Sequence, residues 1–229
     1  MTDHGAPTPH APDGDPGGAC PLCGACDPEP RPAGDRAWWD CPGCGLVFAD
    51  RAELPDPAEE RARYETHEND PADDGYRTFL GRLADPLAAR LEPGAEGLDY
   101  GSGPGPTLSV MLEERGFPTS IWDPFFAPDP RPLARQWDFV TSSETVEHFH
   151  DPAREWARLF SLVRQGGVLG VMTEPFEEQR LDSWWYARDP THVALYRPRT
   201  LEWIAARWEA LLTRPARTVT IFEVGPRER

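Results

Sequence analysis

Short apolar runs alternate with amphipathic segments over the C-terminal two thirds of the chain. Apolar runs bounded by turn residues predict strands at residues 97–100, 119–122, 137–141, 167–173 and 218–223. Apolar residues at helical spacing predict helices at residues 76–91, 107–115, 151–163 and 200–211. The first of these helices is expected to kink or restart near Pro86. This alternation indicates an α/β domain with a largely parallel sheet that helices cover on both faces.

The preceding residues show no such alternation. Residues 1–18 are rich in Pro, Gly, Ala and Asp without an apolar period, which predicts a disordered tail. A cysteine-bearing module is expected over residues 19–49, and a charged helical linker over residues 50–74. The α/β domain then occupies residues 75–229, so the chain is interpreted as one ordinary domain with a small appendage.

Composition narrows the classes of partner. The 229 residues carry a formal charge of −16 at pH 7, which opposes bulk attraction to nucleic acid or to anionic membranes. Five arginines near the C-terminus form either a solvated face or a local basic patch: Arg197, Arg199, Arg207, Arg214 and Arg217. No apolar run approaches the roughly 20 residues that span a bilayer, and no secretory signal is apparent. We therefore expect a cytoplasmic protein with a small-molecule partner, and sequence makes no prediction of its oligomeric state.

Two copies of one short motif occupy the cysteine-bearing module. Cys20-Pro-Leu-Cys23-Gly and Cys41-Pro-Gly-Cys44-Gly each place two thiolates on a tight turn, and the glycine lets the backbone fold around an ion. Four sulfurs close a tetrahedron, which predicts a structural zinc site. A disulfide is disfavoured in the cytoplasm, and no thioredoxin-like unit surrounds either pair. Cys26 is left open as a bystander, a reactive thiol or an alternative ligand.

A glycine-rich turn follows the first predicted strand of the α/β domain. It runs Asp99-Tyr-Gly101-Ser-Gly103-Pro-Gly105, and glycines there allow a sharp turn and close approach to a ligand. Asp123 ends the next strand about 20 residues on, where a carboxylate can hold both ribose hydroxyls. The carboxylate of Asp99 would repel a pyrophosphate but suits a cationic sulfonium that carries an amino group. The turn therefore favours S-adenosylmethionine over a nicotinamide cofactor.

Four segments resemble successive motifs of class I S-adenosylmethionine-dependent methyltransferases, and the resemblance covers about residues 75–229. They are residues 98–105, Asp123, residues 137–148 and residues 165–173. The resemblance implies a Rossmann-like sheet of seven strands with the cofactor across the carboxyl ends of the first strands. It also implies that the methionine part lies beside Asp99, Gly101, Gly103 and Gly105, and the ribose beside Asp123.

One segment departs from that family pattern. The stretch between Asp123 and Trp137 is short, so a reduced third strand is expected and the usual adenine contact stays unassigned. Phe125 and Phe126 either pack on the adenine or belong to the core.

Two glutamates and two histidines follow neighbouring strands. In a helix beginning after residue 143, Glu144, Glu147 and His148 would share one face, and His192 follows the next strand at the same sheet edge. Together they could hold a divalent cation such as Mg²⁺ or Mn²⁺. The pattern resembles metal-dependent O-methyltransferases, which implies a cation that lowers the pKa of a substrate hydroxyl.

Two alternatives to a cation site stand beside it. His148 or His192 could act as a general base without metal, with Glu144 in a catalytic role beside them. The glutamates could instead cap a helix or pair with an arginine, which would be a purely structural role.

Aromatic residues supply the candidates for acceptor binding. Trp184, Trp185 and Tyr186 precede His192, and a loop there could give an aromatic wall for a flat or sugar-like acceptor or simply pack beneath itself. Tyr64 and His67 in the linker are weaker candidates for residues that fold over the cofactor.

Three functions are therefore in competition. The leading hypothesis is a small-molecule methyltransferase, O-directed if the cation site is real. The cysteine module also resembles those ahead of some sugar C-methyltransferases, which implies C-methylation of a nucleotide-linked sugar. The third hypothesis is a non-catalytic zinc-ribbon interaction protein that only binds the cofactor.

Overall fold

Ten strands form two sheets in the computed structural model, which describes residues 18–31, 36–66 and 69–225. The smaller sheet consists, in spatial order, of β1 (Glu29–Arg31), β2 (Trp38–Asp40), β3 (Val47–Ala49) and β8 (Ala194–Leu195). The larger sheet consists, in spatial order, of β5 (Thr119–Trp122), β4 (Gly97–Tyr100), β6 (Trp137–Ser143), β7 (Val163–Met172), β10 (Val219–Val224) and β9 (Ala210–Ala216). Strands β4 to β7 are parallel, whereas β10 runs antiparallel to both of its neighbours.

Helices cover both faces of the larger sheet. They are α2 (Asp74–Ala88), α3 (Thr107–Glu114), α4 (Pro152–Leu162) and α5 (Pro198–Arg207), whereas α1 (Pro57–Tyr64) precedes them and contains no buried residue. On one face, Leu83 of α2 and Met111 of α3 are buried in one cluster with Phe139. On the other face, Trp156 of α4 and Ile204 of α5 share a second core. No helix in the described part of the chain is long and apolar enough to cross a membrane.

The cysteine-bearing module is joined to the α/β domain through both its backbone and its core. Strand β3 pairs with β8, with Val47 opposite Leu195 and Phe48 opposite Ala194. Leu46 and Phe48 are buried in the same core as Trp156. The smaller sheet therefore includes a strand that lies some 145 residues further along the chain.

The apolar pattern predicts most of this architecture. A strand is present at each of the five predicted positions, and α2, α3 and α4 match predicted helices to within three residues at either end. Residues 50–74 contain α1, which starts with a capping box between Asp56 and Glu59. The predicted tail lies in residues 1–18, of which only residue 18 falls inside the described part of the chain.

Three details differ from the sequence prediction. The larger sheet has six strands rather than seven, because the short segment after Asp123 forms a 3-10 turn at Arg131–Ala134 in place of a strand. The last helix ends at Arg207, since Glu209 takes a positive φ of 53° and the chain continues into β9. The helix does not restart at Pro86, which lies inside α2, and the kink that was the other expected outcome stays a prediction.

Candidate functional site

A cavity of about 800 Å³ opens at the carboxyl ends of β4, β5 and β6. Its wall includes Gly101 and Gly103 of the glycine-rich turn, Asp123 after β5, and Glu144 and His148 after β6. The carboxyl ends of parallel strands are the usual binding edge of an open α/β sheet. The volume lies in the upper part of the range for small-molecule sites, which suits a cofactor together with a small second ligand.

Asp123 organises the glycine-rich turn beside it. One carboxylate oxygen accepts a hydrogen bond from the Gly103 amide at 2.9 Å, and the other accepts from the amides of Phe125 and Phe126 at 2.8 and 3.0 Å. Asp123 is buried, although it borders the cavity. Gly101 has a φ of +79°, and a Cβ there would overlap the side chain of Thr145. The turn is therefore held closely against the segment that follows β6.

Two residues predicted beside the methionine part lie behind the cavity wall. Asp99 is 3% exposed and accepts a hydrogen bond from the Thr141 hydroxyl at 2.7 Å. Burial raises the pKa of this carboxyl to about 6, because the charged form loses its hydration. Gly105 packs against the backbone of Asn69, where a Cβ would meet the Asn69 carbonyl oxygen. Phe125 and Phe126 do border the cavity, each half-buried.

Three of the four predicted cation ligands converge at the cavity. One ligand atom from each of Glu147, His148 and His192 lies within 4.8 Å of the others, and we call these residues the glutamate–histidine cluster. His148 Nδ1 donates to the Thr191 carbonyl at 2.9 Å, and His192 Nδ1 donates to the Tyr186 carbonyl at 2.7 Å. Such bonds fix the ring orientation and place the lone pair on Nε2, as in metal-bound histidines.

Glu147 is completely buried within a hydrogen-bond network. Its two oxygens accept from the Tyr186 hydroxyl at 2.6 Å and from the Thr173 hydroxyl at 2.9 Å. Burial raises the pKa of Glu147 to about 7, and burial lowers the pKa of His192 to about 4. Burial thus favours the neutral form of the His192 imidazole and leaves the Glu147 carboxyl in a poorly solvated position.

Glu144, the fourth predicted ligand, does not join that group. In place of the expected helix the chain forms a 3-10 turn at Val146–His148. Glu144 precedes this turn with a backbone φ of +48°, which is rare for residues other than glycine. A 3-10 turn has three residues per turn, so the shared α-helical face is lost. Glu144 instead borders the cavity, and its carboxylate lies 3.4 Å from the Tyr186 hydroxyl. Burial, followed by repulsion from Glu147, raises its pKa well above the ordinary value.

The three aromatic residues ahead of His192 have different environments. Trp184 is buried against Phe176 and Tyr186, and it does not border the cavity. Trp185 is 65% exposed at the cavity edge. Tyr186 is buried and donates to Glu147. Trp185 and Tyr186 therefore border the cavity and Trp184 does not, and contact of either residue with an acceptor stays a prediction.

Helix α1 borders the open side of the cavity. The Tyr64 ring lies 5.1 Å from the His148 ring and 5.6 Å from the Phe125 ring, centroid to centroid. The guanidinium of Arg63 pairs with Asp189 at 2.7 Å. Tyr64 therefore borders the cavity, its contact with the cofactor stays a prediction, and His67 lies outside the described residues. Sequence analysis missed Arg63, which pairs with Asp189, and Thr173, which donates to Glu147. Neither contact has a local sequence signal, because the two partners are far apart along the chain.

The four paired cysteines converge at a second place, which we call the cysteine cluster (Cys20, Cys23, Cys41 and Cys44). One ligand atom from each lies within 4.8 Å of the others, and the two closest sulfur pairs are 3.5 and 3.7 Å apart. Zinc–sulfur bonds of about 2.3 Å place tetrahedral sulfurs about 3.8 Å apart, so the residues fit the ion. Cys26 is exposed and is not part of the cluster.

The two cysteine turns have the same backbone geometry. Gly24 donates to the Cys20 carbonyl at 2.9 Å, and Gly45 donates to the Cys41 carbonyl at 2.8 Å. Both glycines have a positive φ near 80°, as the repeated motif predicts. The hydrogen bond with Cys44 lowers the pKa of Cys20 to about 5 and raises the pKa of Cys44, so it favours one thiolate within this pair.

A family model described as a methyltransferase domain matches residues 72–208 of this chain. The chain belongs to that methyltransferase family. The predicted S-adenosylmethionine-dependent methyltransferase is thereby confirmed at the level of the family. A comparison with curated protein sequences found no match.

Solved methyltransferase structures share the fold. An O-methyltransferase family protein from Burkholderia thailandensis is 18% identical, with a TM-score of 0.53 over 78% of this chain and 66% of that chain. The 1,6-didemethyltoxoflavin-N1-methyltransferase of the same organism, solved with S-adenosylhomocysteine, is 16% identical, with a TM-score of 0.51 over 86% of this chain and all of that chain. At these identities the likeness concerns the fold alone.

Proposed function

We propose that this methyltransferase transfers a methyl group from S-adenosylmethionine to a hydroxyl oxygen of a small-molecule acceptor. The observation that carries the proposal is the glutamate–histidine cluster at the edge of the cavity, where three ligand atoms lie within 4.8 Å of one another. Two imidazoles that border the cavity and one carboxylate behind them are a donor set suited to a divalent cation. Glu144 supplies a further carboxylate at the same wall.

The cation is proposed to assist at the acceptor. When bound there, a divalent cation would bind acceptor oxygens and lower the pKa of a hydroxyl. Glu147, His148 and His192 would hold it, and the carbonyls behind the two imidazoles would fix their orientation. The glycine-rich turn and Asp123 would place the sulfonium methyl opposite the acceptor oxygen for in-line attack, so positioning supplies much of the catalysis.

The acceptor is proposed to be small and partly flat. Trp185 is exposed at the cavity edge, where an aromatic face can stack on a ring or a sugar. The charge of −16 disfavours a nucleic acid acceptor. A cytoplasmic location and a structural zinc ion in the cysteine cluster belong to the same proposal.

Calorimetry with S-adenosylhomocysteine, with and without Mn²⁺ or Mg²⁺, tests the first half of this function. We expect micromolar or tighter cofactor binding by the wild type and by His192→Ala. Mn²⁺ should bind the wild type and not His192→Ala. Absence of cofactor binding by folded protein would contradict the proposal and favour the interaction-protein hypothesis.

A screen of phenolic and sugar acceptors then tests the reaction itself. Methyl transfer to oxygen that chelation abolishes and Mn²⁺ restores would support the cation mechanism. Metal-independent transfer to a carbon atom of a nucleotide-linked sugar would replace it with C-methylation. Equal turnover by wild type and His192→Ala would leave methyl transfer standing but exclude a role for the cluster.

A further inference from the structure

The segment of residues 189–193, which we call the His192 loop, connects the members of the glutamate–histidine cluster. His148 Nδ1 binds the Thr191 carbonyl in this loop at 2.9 Å. The Val193 amide donates to the Glu147 carbonyl at 2.8 Å. A displacement of the loop would therefore move His192 directly and disturb the anchors of the other two members.

The opposite side of the His192 loop rests on the cysteine-bearing module. The Arg36 guanidinium donates to the carbonyls of His192 at 2.8 Å, Pro190 at 3.0 Å and Asp189 at 3.4 Å. The Ala49 amide donates to the Val193 carbonyl at 2.9 Å. Four of the five loop carbonyls are thus bound from the module, and His148 binds the remaining one. Strand pairing of β3 with β8 begins at the next residue.

An arginine suits this set of contacts better than a lysine does. Its planar guanidinium carries five N–H donors in a fixed fork, whereas a lysine ammonium is a compact point charge. The Arg36 guanidinium also lies over the Trp38 ring, 4.9 Å from the centroid, which restricts its orientation. Trp38 in turn is buried in a core with Val193 and Leu195. The contact with Trp38 therefore helps to orient the Arg36 side chain towards the loop.

We propose that Arg36 is a positioning residue, and that the cysteine-bearing module acts through it to hold His192 in place at the cavity. This inference rests on the proposed function of the glutamate–histidine cluster. Outer-shell partners of this kind typically change metal affinity or activity by 10- to 100-fold, because ligand positions must hold to a fraction of an ångström. The module is then a working part of the active site as well as a stabilising appendage.

Arg36→Met tests the proposal, since it retains the apolar stem and removes all five donors. We expect amide exchange at His192 and Val193 to accelerate about 10-fold or more, while exchange in residues 97–105 stays unchanged. Mn²⁺ affinity, measured by electron paramagnetic resonance, should fall about 10-fold. The dissociation constant for S-adenosylhomocysteine should remain within twofold. Arg36→Lys should give intermediate values, and it also serves if the methionine variant fails to fold.

Arg51→Met is the matched control, because Arg51 is an exposed arginine in the neighbouring 3-10 helix Arg51–Glu53. It should behave as wild type in every measurement. Equal acceleration of exchange in the loop and in residues 97–105 would overturn the proposal, since it would show general destabilisation. Unchanged loop exchange in Arg36→Met would also overturn it. If wild type binds no Mn²⁺, the cation mechanism fails, and loop exchange still decides the role of Arg36.

Discussion

The cysteine cluster and the glutamate–histidine cluster both gather potential metal ligands from distant parts of the chain, but they differ in access. Cys20, Cys41 and Cys44 are buried in the core that joins the module to the α/β domain. Four sulfurs leave no open position, which suits a structural ion. In the glutamate–histidine cluster, His148 and His192 border a cavity and Glu147 lies buried behind them, which leaves room for another molecule on the cavity side. The number of ligands and the access to solvent separate a structural site from a reactive one.

The two clusters also differ in how their ligands are supported. The cysteines lie on two repeated backbone turns, each closed by a hydrogen bond between residues four apart in the chain. The glutamate–histidine cluster depends on a network that includes Tyr186, Thr173 and the His192 loop. The first arrangement can form from a short stretch of chain once an ion binds, whereas the second requires the completed sheet. We therefore expect the cysteine cluster to contribute to folding and the other cluster to contribute to chemistry.

The largest expected effect follows removal of one cysteine ligand. Cys41→Ser should lose zinc and destabilise the protein by several kcal/mol or prevent folding, because metal binding free energy at such sites is folding free energy. Cys41 is fully buried and lies in the shared core, so the loss should reach the α/β domain. Zinc content by mass spectrometry and thermal unfolding measure the two parts of this prediction.

Cys26→Ser is the control for that substitution. Cys26 is exposed and outside the cluster, so its replacement should leave zinc content and melting temperature as in wild type. If Cys26→Ser lost zinc and Cys41→Ser retained it, the assignment of ligands would be wrong. If the wild type contained no zinc and its melting temperature did not change with chelators, the cysteine cluster would not be a structural metal site. The proposed contrast with the glutamate–histidine cluster would then be wrong.

An intermediate effect is expected at the glutamate–histidine cluster. Glu147→Gln preserves the shape of the side chain and an oxygen acceptor for Tyr186, but it removes the charge that binds a cation. Mn²⁺ affinity should fall about 100-fold, since a ligand is lost rather than a supporting residue. The melting temperature should change by only a few degrees, unlike that of Cys41→Ser. Titration calorimetry and thermal unfolding measure the two effects.

His150→Gln provides the comparison for Glu147→Gln. His150 also borders the cavity, but it pairs with Glu60 at 3.3 Å and is not a member of the cluster. Its replacement should leave Mn²⁺ affinity unchanged. Equal losses in the two variants would show that Mn²⁺ affinity does not depend specifically on the three residues of the cluster, and would contradict the assigned site.

Local motifs were the parts of the molecule that sequence could predict. Both cysteine turns and the turn from Gly101 follow from short spacings, because their geometry is fixed by residues close in the chain. The meeting of His148 with His192 was also predictable, since both follow neighbouring parallel strands. The departure of Glu144 was not, because its positive φ is imposed by the surrounding fold.

Contacts between remote segments were beyond sequence reasoning. Arg36 binds a loop more than 150 residues away, and no spacing in the chain marks that pair. Trp184 and Trp185 are adjacent, yet one is buried in a core and the other is exposed at the cavity. The direction of each ring depends on a 3-10 turn at Trp185–Arg188 that has no clear sequence signal. Sequence therefore predicted the contents of the site better than its arrangement.

The smallest expected effect concerns Asp99, which is buried behind the cavity wall. It tests whether a buried carboxyl there lowers the free energy of unfolding, whereas the cysteine cluster is expected to raise it. Burial raises the folded-state pKa of Asp99 to about 6, from 3.8 for the ordinary carboxyl. The folded protein therefore holds the proton more tightly than the unfolded chain, so stability falls as pH rises between these values. The cost is absent below about pH 4 and complete above about pH 6, with an upper limit of about 3 kcal/mol.

Asp99→Asn should remove that cost while it keeps an oxygen acceptor for the Thr141 hydroxyl. The buried amide hydrogens lose solvation, so we expect a net gain of about 1 kcal/mol at pH 8. The difference between variant and wild type should shrink as pH falls towards 4.5, and denaturant unfolding across that range measures it. All other titrating groups, including the cysteines that release zinc at low pH, are the same in both proteins. The difference in unfolding free energy between variant and wild type therefore reports on Asp99. A difference in unfolding free energy that stays constant at all pH values would show that burial does not shift the pKa of Asp99. The expected difference in stability contribution between the cavity region and the cysteine cluster would then rest on the two metal clusters alone.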